Sequence, residues 1–586
     1  MTTYQELRHE ADTRWESRQV DKPWIRVGTA MCGNAAGAQQ VISSLKSSID
    51  SMNLDVNLDE VGCLGLCYAE PLIDIQLPGS SRLFFDNVVP YKVNDLLQSY
   101  ISDGKVPESG VLGYLGVDPI DGVADLRSLP GLSYQKRVAL KNAGNIAPND
   151  VHQYIAQDGY AALSKALFEM DPPKVIKEIT DSGLRGRGGA AFSTGIKWSF
   201  LVRSPGPPKY ILCNCEEGDP GAFNDKGILE SDPHMLLEGI ALAGYATGAT
   251  KGFVFIRHGH DGPINRTKQA IEQAYEIGVL GNNIMGSEWS FDIEVALTGE
   301  SYVSGEETAL MDAIEGKRAM PRFRPPFPAQ AGVWGKPTNI NNVKTLSYAP
   351  SIIANGSEWF SNIGVNKSTG TAIICLSGQI KRPGLYEVPM GLSLGQVINE
   401  IGGGVPDNRS LKMLQTGGPL GGLLSSDSLS IKLDFDEMRQ AGAILGSGGI
   451  IVADDRTCAV DITRVLVAFC QYESCGKCFP CRLGMEHLLE IIERISNFES
   501  EPEDVQLMTD IGKTMEGASL CGHGQLGFGP IRSAFQHFSE DFRIHMEERR
   551  CPTNSCNQPK IEIKNTRPYA IDFVPEAKLL SGAKNV

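Results

Sequence analysis

The segment Glu473-Ser-Cys475-Gly-Lys-Cys478-Phe-Pro-Cys481 carries three cysteines at intervals of three residues, and Cys521 lies further along the chain. A turn that holds three thiolates, joined by one remote thiolate, can wrap a [4Fe–4S] cubane. Zinc is the structural alternative, but tetrahedral zinc sites are usually built from two Cys-x-x-Cys pairs. A triplet and a singlet therefore favour an iron–sulfur cluster, and such a cluster moves electrons one at a time.

The regions around these cysteines predict a multidomain α/β protein. Residues 460–548 show helical periodicity, whereas short apolar strands surround one helix in the region just before them. Further upstream, the apolar strand runs Tyr210–Cys213 and Gly252–Ile256 are separated by helical segments, which predicts a mainly parallel sheet. The predicted units are a compact α/β unit over 1–104, a Gly-, Pro- and Asp-rich linker over 105–134, an α/β domain over 135–345, a small domain over 346–455, a helical cysteine-bearing domain over 456–550 and a tail over 551–586.

Composition excludes several classes of protein. The chain has 586 residues, 41% of them apolar, and a formal net charge of −16, which argues against nucleic-acid and anionic-membrane partners. No apolar run reaches the length of a membrane span, so no direct membrane insertion is expected. The polar N-terminus shows no signal peptide, and 14 cysteines then indicate a reducing, cytoplasmic compartment in which clustered thiols bind metals.

A glycine-rich loop, Gly186-Arg-Gly188-Gly189-Ala-Ala, is the second strong motif. It resembles a dinucleotide fingerprint, yet it follows a helical segment, Lys174–Asp181, where that fingerprint follows a strand. It is not a P-loop either, because Ile196 rather than lysine follows the last glycine of the motif. What remains is a donor-rich loop suited to a phosphate-bearing cofactor, or a plain surface loop.

Two acidic segments strengthen the cofactor interpretation. Cys213-Asn-Cys-Glu-Glu-Gly-Asp219 directly follows an apolar strand, and Ser304-Gly-Glu-Glu-Thr308 comes later in the same region. Carboxylates and an asparagine at the carboxyl end of a strand can hydrogen-bond ribityl hydroxyls, a flavin edge or a nicotinamide amide. The alternative is a solvated acidic turn.

Together these motifs resemble one family. From about Gly183 to Cys556 the chain is similar to the NADH-oxidising, FMN-carrying flavoprotein subunit of respiratory complex I, and equally to homologous subunits of NAD-linked hydrogenases and formate dehydrogenases. The resemblance implies a Rossmann-like FMN and NADH domain, a small ubiquitin-like domain of the SLBB type and a helical [4Fe–4S] bundle. It also implies a hetero-oligomer with a thioredoxin-like [2Fe–2S] subunit and a downstream redox subunit. The cytoplasm, or the cytoplasmic face of a membrane, is the expected location.

The resemblance also assigns roles to residues. FMN is expected at Gly186, Arg187, Gly188, Gly189, Lys197, Asn214, Glu216, Asn341 and Asn342, and Glu217 and Gly305 are further expected cofactor-binding residues. NADH is expected beside Phe192, Phe200, Phe327, Glu306 and Glu307, with Asp219, Glu306 and Glu307 as the catalytic acids. Cys475, Cys478, Cys481 and Cys521 would hold the cubane that receives electrons from the flavin. Acids near the nicotinamide ribose disfavour a 2′-phosphate, so NADH is expected rather than NADPH.

The N-terminal unit resembles a thioredoxin-like ferredoxin module but departs from its ligand pattern. In that module [2Fe–2S] ligands follow Cys-x4-Cys and then Cys-x3-Cys. Here Cys63 and Cys67 supply the second pair and Cys32 half of the first, while Val27 stands at the remaining position. The expectation is a degenerate domain kept for docking, with an intact [2Fe–2S] cluster as the alternative.

Two functional hypotheses follow from these features. The first is an NADH dehydrogenase (diaphorase) subunit of a larger redox complex, and the retained acids and aromatic residues favour it. The second is a non-catalytic electron relay that has lost nucleotide binding. Bleaching of bound flavin by NADH distinguishes the two hypotheses.

Overall fold

The computed structural model describes residues 3–557 and begins with helix α1 (Tyr4–Val20). Thr3 and Glu6 form a capping box that satisfies the first backbone donors of α1. Leu7 and Ala11 are buried in the core of the large α/β domain that follows. This helix, predicted as part of the N-terminal unit, packs against the next domain and also contacts the N-terminal sheet, where the Trp15 ring lies 5.2 Å from the Trp24 ring.

The N-terminal unit contains a five-stranded sheet in the order β2-β1-β3-β4-β5. Its strands are β1 (Trp24–Gly28), β2 (Asn57–Val61), β3 (Ile73–Gln76), β4 (Arg82–Phe85) and β5 (Val111–Leu115), and its helices are α2 (Met31–Ala36), α3 (Ala38–Ser51) and α4 (Val93–Leu97). Strand β5 pairs antiparallel with β4 although it lies in the predicted linker. The sheet thus extends beyond residue 104. The sequence did not predict this short edge strand, because the surrounding Gly- and Pro-rich composition is typical of a linker.

The large domain is built on a parallel sheet in the order β8-β7-β6-β9, as the alternating pattern predicts. Its strands are β6 (Tyr210–Cys215), β7 (Lys251–Arg257), β8 (Asp292–Thr298) and β9 (Thr338–Asn342). The helices of this region are α5 (Pro130–Ser133), α6 (Val151–Ala156), α7 (Ala161–Glu169), α8 (Pro172–Asp181), α9 (Thr194–Arg203), α10 (Asn224–Ser231), α11 (Pro233–Thr247), α12 (Asp261–Glu276), α13 (Glu307–Ile314) and α14 (Val343–Asn355). Parallel pairing brings the carboxyl ends of β6 and β9, with their asparagines, to one edge.

The third unit is a mixed sheet in the order β13-β12-β16-β14-β15. Its elements are α15 (Ser357–Ser361), the hairpin β10 (Gly364–Val365) and β11 (Ser368–Thr369), β12 (Thr371–Gly378), β13 (Gly384–Pro389), β14 (Leu411–Thr416), β15 (Leu423–Ser425), α16 (Phe435–Gln440) and β16 (Gly449–Asp454). The predicted boundary at 346 falls inside α14, whose Leu346, Tyr348 and Ile352 are buried in the core of the large domain. The change of unit comes after this helix.

Five helices form the C-terminal unit, as the periodicity predicts: α17 (Ala459–Tyr472), α18 (Phe479–Ser496), α19 (Asp504–Ala518), α20 (Gly522–Leu526) and α21 (Gly529–Glu547). Their shared core includes Met485, Leu488 and Phe542. Across residues 3–557, none of the helices combines the length and the apolar character that crossing a bilayer requires.

Candidate functional site

The glycine-rich loop lies directly on the edge of the parallel sheet. Its two ends pair at Arg185 and Ser193, and the N–H of Gly186 donates to the carbonyl of Phe192 (2.8 Å). A Cβ on Gly188 would lie 3.0 Å from Cβ of Asn342, whereas a Cβ on Gly189 would meet nothing within 4 Å. The loop is therefore closely packed on its sheet side and open on the other, which fits a cofactor lying against its backbone.

Arg187 fixes this loop rather than facing the open side. Its side chain is buried, and its guanidinium donates to the carbonyls of Arg185 (2.7 Å), Thr369 (2.7 Å) and Thr371 (3.2 Å). Its backbone N–H donates to Oγ1 of Thr345 (2.9 Å). The contribution of Arg187 to a cofactor site is thus through the position of the loop, which these bonds tie to the third unit.

The acidic loop after β6 buries two adjacent carboxylates. Glu216 accepts from the N–H of Gly218 (2.9 Å) and lies 3.4 Å from a guanidinium nitrogen of Arg257, and burial raises its pKa to about 8. Glu217 accepts from the N–H groups of Asp225 (2.7 Å) and Lys226 (2.8 Å), and burial raises its pKa to about 7. These environments favour protonated Glu216 near neutral pH and leave Glu217 close to its midpoint, so the loop can exchange protons.

Asp219 joins the acidic loop to Tyr302 of the same domain and to Ser447 of the third unit. Its Oδ1 accepts from the Tyr302 hydroxyl (2.8 Å) and its Oδ2 from the Ser447 hydroxyl (2.7 Å). Desolvation raises the pKa of Asp219, and the two hydroxyls partly oppose that effect. The Tyr302 ring in turn lies 5.3 Å from the Phe469 ring and 5.8 Å from the His523 ring. Tyr302 therefore lies between the acidic loop and the cysteine-bearing helices, and sequence reasoning missed it.

Glu306 and Glu307 begin helix α13. Glu306 is its N-cap and accepts from the N–H groups of Thr308 (2.9 Å) and Ala309 (2.9 Å). Glu307 lies 3.3 Å from Nζ of Lys197 and 2.6 Å from Nη1 of Arg324. The structure thus joins Lys197 and Glu307, two predicted site residues that are far apart in the chain.

The strand-end asparagines hold neighbouring elements together. The amide of Asn214 donates to the carbonyl of Gly305 (2.8 Å), which brings the acidic segments into contact. Asn341 accepts from the Trp198 indole (3.0 Å), and Asn342 donates to Asp225 (2.5 Å). Each predicted asparagine therefore lies at the sheet edge beside the glycine loop, as parallel pairing requires.

The predicted aromatic residues are exposed near this edge. The Phe192 and Phe200 rings are 48% and 44% exposed, with centroids 6.2 Å apart, and Phe327 is 54% exposed. Exposed aromatic rings are favourable stacking surfaces for a planar base. The structure brings the first two together and leaves all three accessible.

All four predicted cluster cysteines line one small cavity, together with Ser474, Lys477 and His523. The cysteines are Cys475, Cys478, Cys481 and Cys521. Burial raises the pKa of Cys481 to about 12 and of Cys521 to about 11, so these thiolates need the positive charge of a metal centre. Cys478 is the N-cap of α18, whose dipole favours an anionic cluster.

A different set of side chains has the spacing of a single-ion site. Within residues 3–557, one group of three or more potential ligands has all its ligand atoms within 4.8 Å of one another, and it consists of Cys458, His545, Cys551 and Cys556. The cubane cysteines do not meet that distance. Their wider separation suits a cluster of several irons better than zinc, the alternative that the sequence left open.

The Cys458 set was missed by sequence reasoning. Cys551 and Cys556 are close together in the chain, but Cys458 and His545 are 87 residues apart and carry no local signal. In the structure Nε2 of His545 lies 3.5 Å from Sγ of Cys458 and 3.4 Å from Sγ of Cys556. All four side chains are buried in the C-terminal unit.

Comparisons with known proteins find three matching families. The Nuo51 FMN-binding domain matches residues 179–351, the SLBB domain 373–423, and the NADH-ubiquinone oxidoreductase-F iron-sulfur binding region 461–545. The first match covers the glycine loop and the acidic segments. The last covers all four predicted cubane cysteines.

Individual relatives and a solved structure support the same family. The HndC protein of the NADP-reducing hydrogenase of Solidesulfovibrio fructosivorans is 44% identical over 72% of this chain and 86% of its own length. The F 2 protein of the NADH-quinone oxidoreductase of Rhizobium meliloti is 44% identical over 68% of this chain and 95% of its own length. The crystal structure of an NAD+-reducing [NiFe]-hydrogenase in the H2-reduced state aligns with a TM-score of 0.63 and 27% identity, over 90% of this chain and 84% of that chain.

Proposed function

The chain belongs to the family of NADH-quinone oxidoreductase F proteins, and on that premise we propose that it is the NADH dehydrogenase (diaphorase) subunit of a multi-subunit redox complex. The observation that carries this proposal is the contact between its two halves. Asp219 of the acidic loop is hydrogen-bonded to Tyr302, and the Tyr302 ring lies beside His523 at the cysteine cavity. A cofactor at the glycine loop and a cluster in that cavity would be neighbours.

FMN, when bound, can accept a hydride from NADH and release its electrons singly to a [4Fe–4S] cluster. Residues of this chain would position FMN and NADH. Gly188 and Gly189 offer backbone without side chains, Lys197 supplies a cation for the phosphate, and Asn214 and Asn342 hold the sheet edge. Phe192 and Phe327 offer exposed rings to the adenine, and Glu306 and Glu307 supply carboxylates for the ribose.

The acids are proposed to have different tasks. Burial favours the protonated form of Glu216 near neutral pH, whereas Asp219 is held by two hydroxyl donors that favour its ionised form. An ionised Asp219 can accept a hydrogen bond from a nicotinamide amide. We propose that Asp219, Glu306 and Glu307 are the residues that act on NADH.

The family also supports proposals for the partners and the location of this chain. The relatives are components of multi-subunit enzymes, so the chain is part of a hetero-oligomer, and we propose a thioredoxin-like [2Fe–2S] subunit and a downstream redox subunit as its partners in the cytoplasm. Phe479 and Leu483 are 66% and 36% exposed on the helix that carries Cys481, which supports an exit for electrons there. The three sheet units are proposed to be thioredoxin-like, Rossmann-like and ubiquitin-like in chain order.

The Cys458 set is proposed to bind a structural zinc ion. Three thiolates and one imidazole, all buried, form a closed tetrahedral ligand set. Nδ1 of His545 lies 2.7 Å from the carbonyl oxygen of Asp541, which orients Nε2 toward the thiols. The ion would join the start of α17 to the end of α21 and to Cys551 and Cys556, so it would stabilise the cluster-bearing unit.

An anaerobic optical titration with NADH tests the main proposal. Flavin-loaded protein should bleach on addition of NADH and reduce ferricyanide or viologen dyes. Glu307→Gln should weaken this response while flavin and iron content stay unchanged. Glu294→Gln, which removes an exposed ion pair of β8, is the matched control and should behave like the wild type. No bleaching of flavin-loaded wild type would favour the non-catalytic relay instead.

A further inference from the structure

Three thiols of the N-terminal unit come together in the fold. Cys32 lies in the short helix α2 after β1, and Cys63 and Cys67 lie after β2. Sγ of Cys32 is 3.1 Å from Sγ of Cys67. Segments that are distant in the chain have thus been brought to one point, and the question is what completes the set.

Val27 does not complete it. Its side chain is fully buried in the apolar core between the sheet and α3, together with Ile25, Val41 and Leu45. The next residue, Gly28, faces the other way because side chains alternate along a strand. Any group that replaces the first ligand must therefore reach the face on which Gly28 lies.

The Glu70 carboxylate is at that place. A Cβ on Gly28 would lie 3.2 Å from both carboxylate oxygens of Glu70, and a Cβ on Gly33 would lie 3.1 Å from Oε2. Oε1 lies 3.4 Å from Sγ of Cys63. Glu70 thus fills the space that a side chain from the end of β1 would occupy, next to the three thiols.

Glu70 is also a buried acid without a protein cation. It is 6% exposed, and among residues 3–557 its hydrogen-bond donors are the N–H of Leu72 (2.8 Å) and the thiol of Cys63. No ion pair involving Glu70 forms within that range. A buried carboxylate normally has a cationic or metal partner, because desolvation of the lone charge is costly.

We propose that Glu70 is the fourth ligand of a [2Fe–2S] cluster held by Cys32, Cys63 and Cys67. These four side chains do not all lie within the 4.8 Å that one ion requires. Two iron atoms divide four ligands between them, so a wider set suits a two-iron cluster. An oxygen ligand in place of a thiolate changes the electronic structure of its iron, which gives the proposal a spectroscopic test.

The site is held firmly against the FMN-binding domain. Glu230 of α10 accepts from the N–H of Met31 (2.9 Å), and Arg266 of α12 donates to Oγ1 of Thr29 (2.8 Å). These bonds fix the loop between β1 and Cys32 from the domain side. The N-terminal unit would therefore be a second electron-transfer centre of this chain and not a docking domain alone.

The test uses full-length protein purified without oxygen, with iron, zinc and sulfide analysis and EPR of the reduced sample. We expect about six irons per chain, four from the cubane and two from the second cluster. Glu70→Cys should keep both irons and shift the g values of the [2Fe–2S] signal, and Glu70→Ala should lose that signal. Glu238→Gln, which alters a buried acid of the large domain that bonds to Tyr154 and Tyr160, is the control and should leave the signal unchanged.

Two results would overturn the proposal. One is about four irons per chain, with or without zinc, in protein whose cubane and flavin are intact. The other is an unshifted [2Fe–2S] signal in both Glu70 variants, which would mean that another residue is the ligand. Retention of the cubane EPR signal in the variants shows that the chain has folded.

Discussion

Gly195 is the position at which a single methyl group is expected to disturb the cofactor loop. It lies in the first turn of α9, where this helix crosses α8. A Cβ there would lie 2.1 Å from Oγ1 of Thr180, 2.7 Å from its Cα and 2.8 Å from its backbone nitrogen. The hydroxyl can rotate, but the two backbone atoms cannot, so Gly195→Ala must push α9 away from α8.

The expected cost is about 1–3 kcal/mol, as for other insertions into a packed interior. Lys197, the proposed cation for the FMN phosphate, lies on the displaced helix, so part of this energy should appear as weaker FMN binding. A share of about 1.4 kcal/mol corresponds to a tenfold higher Kd. Fluorescence titration of the apoprotein with FMN measures this change, and thermal unfolding measures the remainder.

Two further variants test whether a clash with the backbone of Thr180 causes the loss of FMN affinity. Gly517→Ala adds the same methyl group to α19 in open space, and it should leave FMN binding unchanged. Thr180→Ala removes the hydroxyl contact but not the backbone contacts, so it should restore little of the loss in a double variant. Wild-type FMN affinity in Gly195→Ala, or complete rescue by Thr180→Ala, would refute the proposed backbone clash.

Three other predictions concern single groups. Tyr302→Phe removes a donor that lowers the pKa of Asp219, so the acidic limb of the pH profile for NADH oxidation should move to higher pH. Tyr275→Phe, which breaks a similar bond to an exposed aspartate, should not move it. Burial raises the pKa of Glu216 from 4.5 to about 8, so the folded state holds one more proton than the unfolded state between these two pH values. The free energy of unfolding should therefore fall as pH rises from 4.5 to about 8. Glu216→Gln should flatten this pH dependence in denaturant titrations, and an unchanged slope would contradict the assignment. Cys458→Ser should remove about one zinc per chain by metal analysis and lower the unfolding temperature of the cluster-bearing unit, and protein that never contained zinc would count against the site.

Local sequence patterns were sufficient to predict many of the helices and strands. The helices over 460–548 and the parallel strands β6 and β7 follow from periodicities that each segment holds within itself. Two boundaries failed because the deciding contacts are not local. Strand β5 is recognisable as a strand through its pairing with β4, and α14 belongs to the large domain because Leu346 and Tyr348 are buried there.

In the candidate site, too, the features clustered in the chain were predicted and the contacts between distant residues were not. The cubane cysteines and the acidic segments could be read from the chain, because their ligands or carboxylates are clustered in sequence. The partners of those groups could not. Ser447 is 228 residues from Asp219, and Lys197 is 110 residues from Glu307, yet each pair is in contact.

The sequence by itself determined the cofactor motifs, the order of secondary-structure types and the absence of a cysteine at position 27. The tertiary structure alone decided that His545 faces Cys458, that Tyr302 joins the acidic loop to the cysteine cavity and that Glu70 lies beside Gly28. Backbone propensity and side-chain periodicity act over a few residues, so a sequence displays them directly. Ligand sets and buried charge contacts depend on distances that are fixed only when distant segments pack into a common core.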